Sequence, residues 1–249
     1  MAKKGNNMSV NAIILWSVCF FAPIVAYILL CEIPFRQTTY YKYKRKGYFR
    51  SFVGNKGAYG EYLIYKNLRH YEQQGARFLF NVYLPSQSRN VDTTEIDVLM
   101  ITSKGIYVFE SKNYSGWIFG NDRQKMWTQC LPRGKGKKAK KESFYNPVWQ
   151  NESHIKALRS TLINSPVPIY SIVTFSDRCT FKDITLPNSS NVWIIKRGDA
   201  KRTIRSIEDN SSAIYDMSTV DYLYNTLLPY SSVSEEVKQQ HIAQIQNMR

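Results

Sequence analysis

The chain contains 249 residues, of which 43% are hydrophobic and 14% aromatic, and it carries a formal net charge of +15. This hydrophobic content is ample for a packed core. Its four cysteines include no Cys-x-x-Cys pair, and its three histidines are widely separated in the sequence. Composition and spacing therefore argue against a structural zinc site and against a disulfide framework.

Basic residues are concentrated in two segments. Residues 1–50 hold eight basic groups and one acidic group, a net of +7, and residues 133–141 hold six basic groups and no acidic group. Subtracting +7 and +6 from +15 leaves +2 for the remainder of the chain. The expected molecule is a nearly neutral globular domain with two basic segments attached to it.

The first predicted element is a membrane-spanning helix within an anchor at residues 1–33. Residues 12–31 (AIILWSVCFFAPIVAYILLC) carry no charge, and their number is about what a ~30 Å hydrocarbon core requires. A cleaved signal peptide is the alternative, but the run does not close on a small-x-small cleavage site. Most of the flanking basic residues follow the run, so the positive-inside rule predicts a single-pass cell-membrane protein with its C-terminal domain in the cytoplasm.

A basic juxtamembrane tether is expected at residues 34–53. Its lysines, arginines and tyrosines are ordinary topology signals, and such a segment can rest on anionic lipid. A nucleic-acid-binding role for this segment is the alternative.

Beyond the tether, the apolar pattern predicts a mixed α/β domain at residues 54–200 and a C-terminal helical tail at residues 201–249. The expected fold is one mixed sheet with helices packed against it. In chain order, the predicted elements are a helix at 55–71, strands at 78–84, 95–101 and 106–112, a helix at 146–162, strands at 169–175 and 192–195, and helices at 219–228 and 233–247.

The hairpin formed by the second and third strands carries charges beside core-facing residues. Because side chains two residues apart in a strand point the same way, Glu110 and Lys112 share a face with Val108. A two-residue loop pairs residue 102 with residue 105 and places Asp97 opposite Glu110. A three-residue loop with a bulge is the alternative and shifts this pairing by one residue. Like charges directly across a ladder are destabilising, so two opposed carboxylates favour a bound cation.

Two carboxylates and a lysine on one surface suit metal-assisted hydrolysis of a phosphodiester. Oxygen ligands select Mg²⁺ or Mn²⁺, and the ion polarises the phosphate and lowers the pKa of bound water. The lysine ammonium can orient that water or offset developing charge. On the hairpin alone, a solvated strand end with an incidental Glu95–Lys112 ion pair is the alternative interpretation.

Four segments in order resemble the nuclease-related domain (NERD) family. They are Gly60-Glu61, Glu95-Ile96-Asp97, FESKNYSG at 109–116 and NPVWQ at 146–150. The resemblance covers about residues 54–180, and the family is similar to the PD-(D/E)XK phosphodiesterases, which implies a restriction-endonuclease-like fold. It also implies the roles of five residues: Asp97 and Glu110 as metal ligands, Lys112 as the catalytic lysine, and Glu61 and Gln150 as further catalytic-site residues.

Several of these residues have plainer alternatives. Glu61 near a helix N-terminus can simply favour the helix dipole, and Gln150 can be a surface residue. His154 shares a helix face with Gln150 and is expected to be structural or exposed. The aromatic residues Trp117, Phe119 and Trp127 are expected to be core or sheet cover rather than a base-stacking platform.

The basic stretch at 133–141 (RGKGKKAKK) is expected to be a loop, because it is too charged and too glycine-broken to pack. Phosphate steering and a plain solvated loop are both open interpretations. The candidate nucleic-acid-binding residues are Arg133, Lys135, Lys137, Lys138, Lys140 and Lys141.

The predicted function is that of a membrane-anchored, Mg²⁺-dependent (or Mn²⁺-dependent) nuclease, expected to be an endonuclease, that hydrolyses DNA or RNA. The alternative is a catalytically inactive membrane-tethered module that binds nucleic acid or another partner. A scaffold on the lipid surface is a third interpretation.

Overall fold

The computed structural model describes residues 10–44, 46–88, 90–134, 137–163, 165–186 and 191–247, with side chains from residue 16 onward except that of residue 49. The chain divides into two compact units, Met1–Asn55 and Lys56–Arg249. The first unit contains the apolar helix and the basic segment, and the second contains both β-sheets.

The first unit begins with a long apolar helix. Helix α1 (Val10–Tyr27) continues through a π-helical turn, Ile28–Glu32, into α2 (Ile33–Arg36). Pro23 lies inside α1 without ending it. Within the part of the chain that the structure describes, Trp16–Arg36 is the one helical stretch long and apolar enough to cross a membrane.

The basic segment after this helix is folded rather than extended. It forms α3 (Thr39–Lys44) and α4 (Tyr48–Phe52) around an aromatic cluster. Phe35 is fully buried, and its ring centroid lies 5.4 Å from that of Phe52 and 5.5 Å from that of Tyr48. Edge-to-face contacts of this kind add to the burial of the rings, so aromatic packing gives the expected tether a local core.

Glu32, the acidic residue within residues 1–50, also holds this segment together. Its Oε2 accepts a hydrogen bond from the backbone N–H of Tyr48 at 2.8 Å, and its Oε1 contacts Arg36 Nε at 2.6 Å. The carboxylate therefore joins the end of the apolar helix to the start of α4.

The second unit contains helices and two mixed sheets. Its described helices are α5 (Lys56–Leu68), α6 (Pro147–Thr161), α7 (Ala200–Asp209), α8 (Met217–Ser231) and α9 (Glu235–Asn247), and a 3₁₀ helix, Arg69–Gln74, follows α5. Its described strands are β1 (Arg77–Pro85), β2 (Thr93–Thr102), β3 (Gly105–Lys112), β4 (Gly116–Asn121), β5 (Met126–Leu131), β6 (Lys140–Tyr145), β7 (Ile169–Phe175), β8 (Cys179–Thr185) and β9 (Val192–Lys196).

The larger, core sheet has the strand order β1-β2-β3-β7-β9. Strands β1, β2 and β3 are antiparallel, whereas β3, β7 and β9 are parallel. The carboxyl ends of the three parallel strands therefore meet at one edge, where ligands commonly bind in α/β sheets. The predicted α/β class, a mixed sheet flanked by helices, is confirmed.

A second sheet, with the order β6-β5-β4-β8, was not expected. The prediction of one mixed sheet is corrected to two. The basic stretch is also not a loop throughout, because Lys140 and Lys141 are the first residues of β6 and pair with Leu131 and Cys130. This pairing across the sheet overrides the poor intrinsic strand propensity of consecutive lysines.

The C-terminal helices belong to the same unit as the core sheet. Helix α8 packs on β1, and Val220, Leu223 and Leu227 are buried in one cluster with residues of β1, β2, β3 and α6. Residues 201–249 therefore contribute to the main hydrophobic core.

Candidate active site

The candidate site lies where the β2–β3 hairpin opens. Thr102 pairs with Gly105, which confirms the two-residue loop, and the ladder runs as far as Val98 and Phe109. It ends one step before the expected pairing of Asp97 with Glu110. There β3 continues beside β7, and the side chain of Asp97 accepts a hydrogen bond from the backbone N–H of Ser111 at 2.7 Å.

Glu110 lies at the centre of the site and is only 2% exposed. Its Oε1 contacts Lys112 Nζ at 2.7 Å, and its Oε2 lies 3.1 Å from His154 Nε2. Burial by itself raises the pKa of Glu110, but the Lys112 ammonium and the contact with His154 hold that pKa below its usual value. Glu110 is therefore a carboxylate at neutral pH.

Lys112 joins the strand to helix α6. Its Nζ donates to Gln150 Oε1 at 2.9 Å, in addition to its contact with Glu110. Burial opposes the charge on Lys112, yet the neighbouring carboxylates of Glu110 and Asp97 raise its pKa above the usual value. The group is a fully charged ammonium, and it pairs with Glu110 rather than with Glu95.

Asp97 experiences the opposite electrostatic environment. Burial raises its pKa well above the ordinary value, and the charges of Glu110, Glu61 and Glu95 raise it further. The hydrogen bond from Ser111 opposes this shift without cancelling it. These four carboxylates form one electrostatically coupled group, which we call the carboxylate cluster.

Glu61 enters the cluster from helix α5. It is buried and accepts a hydrogen bond from Asn81 Nδ2 at 3.4 Å. Glycine at the preceding position permits this approach, because a Cβ at Gly60 would lie 2.7 Å from Ser111 Oγ and the hydroxyl would have to move. The Gly60-Glu61 pair therefore brings the helix against the end of β3 and directs a carboxylate into the site.

Asn81 was not identified from the sequence. It lies in β1 between the pairs Phe80–Val98 and Val82–Ile96, opposite Asp97, and has a φ of 47°. Asn tolerates this left-handed conformation better than most residues. The signal in the sequence is a single Asn inside the apolar run FLFNVYL.

His154 is the second residue whose place the sequence did not reveal. It is buried on α6, and its Nδ1 lies 2.7 Å from Thr94 Oγ1 while its other ring nitrogen contacts Glu110. Helix α6 is fixed at its start by the Asn146 side chain, which accepts from the N–H of Val148 at 2.9 Å, and by Pro147 in its first turn. With the start of α6 fixed in this way, the helix face that carries Gln150 and His154 is turned toward β3.

Comparison with known proteins identifies the family. The model of the nuclease-related domain (NERD) matches residues 56–176. An uncharacterized protein of Bacillus anthracis is 31% identical over 192 residues, which are 77% of this chain and 84% of that protein. The chain belongs to the NERD family. No solved structure matches it.

The NERD match extends from α5 through β7 and includes the carboxylate cluster, Lys112, Gln150 and His154. Strands β8 and β9 and helices α7–α9 lie beyond it. One of these helices still reaches the edge of the cluster, because His241 Nε2 on α9 lies 3.9 Å from Glu95 Oε2. An element outside the family match thus borders the NERD site on one side.

The described candidate nucleic-acid-binding residues of the basic stretch lie in strand β6 of the second sheet or in the connection between β5 and β6, not on the elements that form the NERD site. Arg133, Lys137 and Lys138 are exposed between β5 and β6. In β6, Lys140 forms an ion pair with Glu142, and Lys141 is exposed. Lys135 lies outside the described residues.

The carboxyl groups of the NERD site are few for a metal site built from protein ligands alone. Among the described residues, no three His, Cys, Asp or Glu side chains are grouped closely enough to hold a metal ion. Mg²⁺ is usually bound through one or two carboxylates and keeps several waters. Asp97 and Glu110 provide two carboxyl groups, and the charges of Glu110, Glu61 and Glu95 add to the effect of burial in raising the pKa of Asp97.

Proposed function

We propose that this NERD protein is a membrane-anchored nuclease that hydrolyses phosphodiester bonds in DNA or RNA with Mg²⁺ or Mn²⁺. The observation that carries the proposal is the Lys112 ammonium, whose side chain is only 15% exposed and which contacts Glu110 and Gln150 beside the side chain of Asp97. A structural ion pair needs no additional carboxylates next to it. A site that binds a metal ion and a phosphate needs both the carboxylates and the cation.

Asp97 and Glu110 are the proposed metal ligands. When bound, the ion would lower the pKa of a water molecule and stabilise charge on the phosphate. The second lone pairs of the Glu110 oxygens remain available, because each carboxylate oxygen can accept more than one contact.

The remaining polar side chains of the site hold its charged groups in position. Gln150 holds the Lys112 ammonium in place, where its charge can orient a water or offset negative charge on the phosphate. His154 and Thr94 fix the direction of the Glu110 carboxylate. Asn81 positions Glu61, the proposed additional acidic residue of the site.

The apolar stretch Trp16–Arg36 is the proposed membrane anchor, and the nuclease domain is proposed to face the cytoplasm. Tyr222 is 68% exposed and lies in the second unit, so a Tyr222→Cys variant provides an accessible thiol. A membrane-impermeant maleimide should label this thiol only after cell lysis. Labelling in intact cells would place the domain on the other side.

The decisive experiment is a cleavage assay on the full chain in lipid nanodiscs. Single- and double-stranded DNA and RNA are incubated with Mg²⁺, with Mn²⁺ or with a chelator. We expect cleavage products with either metal and none with the chelator. Cleavage that persists in the chelator would rule out the metal-dependent mechanism, and absence of cleavage of all four substrates would rule out the nuclease.

One observation favours a second candidate, a catalytically inactive nucleic-acid-binding module. Both carboxylate oxygens of Glu110 already contact positively charged or hydrogen-bonding groups, Lys112 and His154. In an inactive module, the Lys112 ammonium would take the place of a metal ion beside Glu110. The protein would then bind the same nucleic acids and cleave none of them, with Mg²⁺, with Mn²⁺ or with the chelator.

A further inference from the structure

The second sheet has two chemically different faces. Directly paired residues of neighbouring strands share a face, and successive residues alternate between faces. Ile118 and Trp127 are fully buried and pack with Phe175 and Val148 on the inner side. The opposite side, which we call the outer face, contains Trp117, Phe119, Met126, Lys141, Tyr145 and Lys182.

The outer face exposes large side chains that a sheet normally covers. Trp117 is 40% exposed, Met126 46% and Tyr145 42%. Of the aromatic residues expected to be core or sheet cover, Trp127 is in the core, whereas Trp117 is exposed and not part of the core. Exposed apolar groups clustered on one face of a sheet mark an interaction surface.

Lysines accompany these aromatic side chains. Lys182 Nζ lies 5.4 Å from the centroid of the Trp117 ring. Trp117 pairs with Cys130, which pairs with Lys141. Trp117 and Lys141 are therefore two strand spacings apart, about 10 Å. The outer face therefore combines exposed rings with two lysines, one of which contacts the Trp117 ring.

The charge of this region indicates the kind of partner. Residues 114–146 contain eight Lys and Arg and two Asp and Glu, so this segment supplies 8 − 2 = +6 of the total of +15. A surface that combines aromatic rings with excess positive charge suits a polyanion with flat, unpaired bases. Duplex bases are already stacked on each other and offer no ring face to Trp117 or Tyr145.

The outer face is joined to the proposed catalytic site at both ends. Trp117 follows Lys112 by five residues, a path of at most about 17 Å. Gln129 Nε2 fixes this connection by donating to the carbonyl of Ser115 at 2.7 Å. At the other end, Tyr145 precedes the cap of helix α6, which carries Gln150.

We propose that the outer face is a binding platform for single-stranded nucleic acid. Unpaired bases stack on Trp117 and Tyr145, and Lys141 and Lys182 contact the phosphates. The bound nucleic-acid strand continues from this platform to the carboxylate cluster. This inference rests on the proposed nuclease function and narrows its substrate to single-stranded or locally unpaired nucleic acid.

Binding is measured on the full chain in nanodiscs of zwitterionic lipid, in the Lys112→Met background with chelator, so that cleavage does not interfere. The probes are fluorescent single-stranded DNA and RNA oligonucleotides and a duplex of the same sequence. We expect tighter binding of the single strands, and about tenfold weaker binding after Trp117→Ala or Tyr145→Ala, since each stacked base contributes about that factor. Trp117→Phe should retain most of the affinity.

Matched controls are available on exposed positions away from the second sheet. Tyr222→Ala, at a residue that is 68% exposed on α8, should leave binding unchanged. Lys182→Gln and Lys141→Gln should each reduce the slope of the salt dependence by about 0.7, the value for one phosphate contact on a single strand. Lys201→Gln on α7 should leave that slope unchanged.

The outcomes separate this inference from the nuclease proposal. Binding that depends on Trp117 and Tyr145, together with no cleavage by the wild-type chain, supports the platform and rejects the nuclease. Cleavage with binding that is unaffected by Trp117→Ala and Tyr145→Ala rejects the platform alone. Equal affinity for duplex and single strands, or binding of neither, also overturns it. The outer face would then be a surface for another class of partner, such as a protein.

Discussion

The two sheets of the second unit use charged residues in opposite ways. In the core sheet, the side chains of Glu110 and Lys112 are only 2% and 15% exposed, and each contacts a specific partner. In the second sheet, Lys141 and Lys182 are exposed, and Lys182 lies beside the ring of Trp117. Buried charges require precise partners, because an unpaired one is costly, whereas exposed charges contribute through their number and sign. Single substitutions of the charged residues in the core sheet should therefore change cleavage or stability strongly. Single substitutions of the lysines in the second sheet should each change nucleic-acid binding by a small amount, and these amounts should add.

The largest effect is expected for Lys112→Met. This change removes the ammonium that contacts Glu110 and Gln150 and keeps most of the side-chain volume. Loss of a preorganised charged group should reduce cleavage by at least about 100-fold. Single-turnover cleavage rates measure the effect, and Lys201→Gln is the exposed lysine control. If the Lys112→Met protein cleaves at the wild-type rate, Lys112 is not a catalytic residue and the proposed mechanism is wrong.

Asp97→Asn should reduce cleavage to a similar extent while leaving the metal-free protein as stable or more stable. The pKa of Asp97 is higher in the folded protein than in the unfolded chain, so the folded state binds a proton more tightly. The free energy of unfolding of the wild type therefore falls as the pH rises from the unfolded pKa through the folded pKa. The amide side chain of the variant does not titrate, so the variant does not lose this stability as the pH rises. Denaturant unfolding with chelator, at several pH values, should show the gap between variant and wild type growing with pH. A variant that is less stable at pH 7 would make Asp97 a structural residue.

The same pair of proteins tests metal binding without reference to activity. Mg²⁺ at about 100 times its Kd should stabilise wild type by about 2.7 kcal/mol, because the ligand binds only the folded state. The stabilisation should shrink in Asp97→Asn and persist in Lys112→Met, since an ammonium does not coordinate a cation. Equal Mg²⁺-induced shifts in melting temperature for wild type and Asp97→Asn would exclude Asp97 as a ligand.

His154→Ala should have an intermediate effect. It removes a buried ring that contacts both Glu110 and Thr94, and loss of these partners should cost about 1–3 kcal/mol of stability. If His154 positions Glu110, metal-dependent cleavage should also fall by about 10–100-fold, as for other residues that orient metal ligands. Glu152→Gln, an exposed change on the same helix, is the matched control. An unchanged cleavage rate at full occupancy with Mg²⁺ would limit His154 to stability.

The smallest effect on stability is expected for the basic stretch. Replacing its six lysines and arginines with Gln should change the free energy of unfolding by no more than about 0.5 kcal/mol, as for most surface substitutions. The same variant should bind nucleic acid more weakly and with a flatter salt dependence. An unchanged salt slope would show that this segment does not contact phosphate.

Local chemistry explains what could be predicted of the site. The alternation of side chains along β3 places Glu110 and Lys112 on one face, and the structure confirms it with a direct contact between them. The turn at Ser103 and Lys104 sets the register as far as Val98 and Phe109. The Asn146-Pro147 pair starts helix α6 as expected, because its capping chemistry is contained in adjacent residues.

The second sheet could not be predicted in the same way. Its strand β4 pairs in parallel with β8, which is distant in the sequence, and β6 begins with two lysines that favour a loop by composition. Neither strand has a strong periodic pattern of its own. Pairing with a partner strand decides such segments, since strand propensity depends on neighbours across the sheet.

By itself, the sequence determined the family, the α/β class, the apolar helix and the face of β3 that carries the charges, because each depends on residue type and spacing along one segment. Only the tertiary structure decided the rest. Asn81 contacts Glu61, His154 contacts Glu110, and His241 reaches Glu95 from a helix outside the family match. These partners are far apart in the chain, and packing rather than local spacing brings them together.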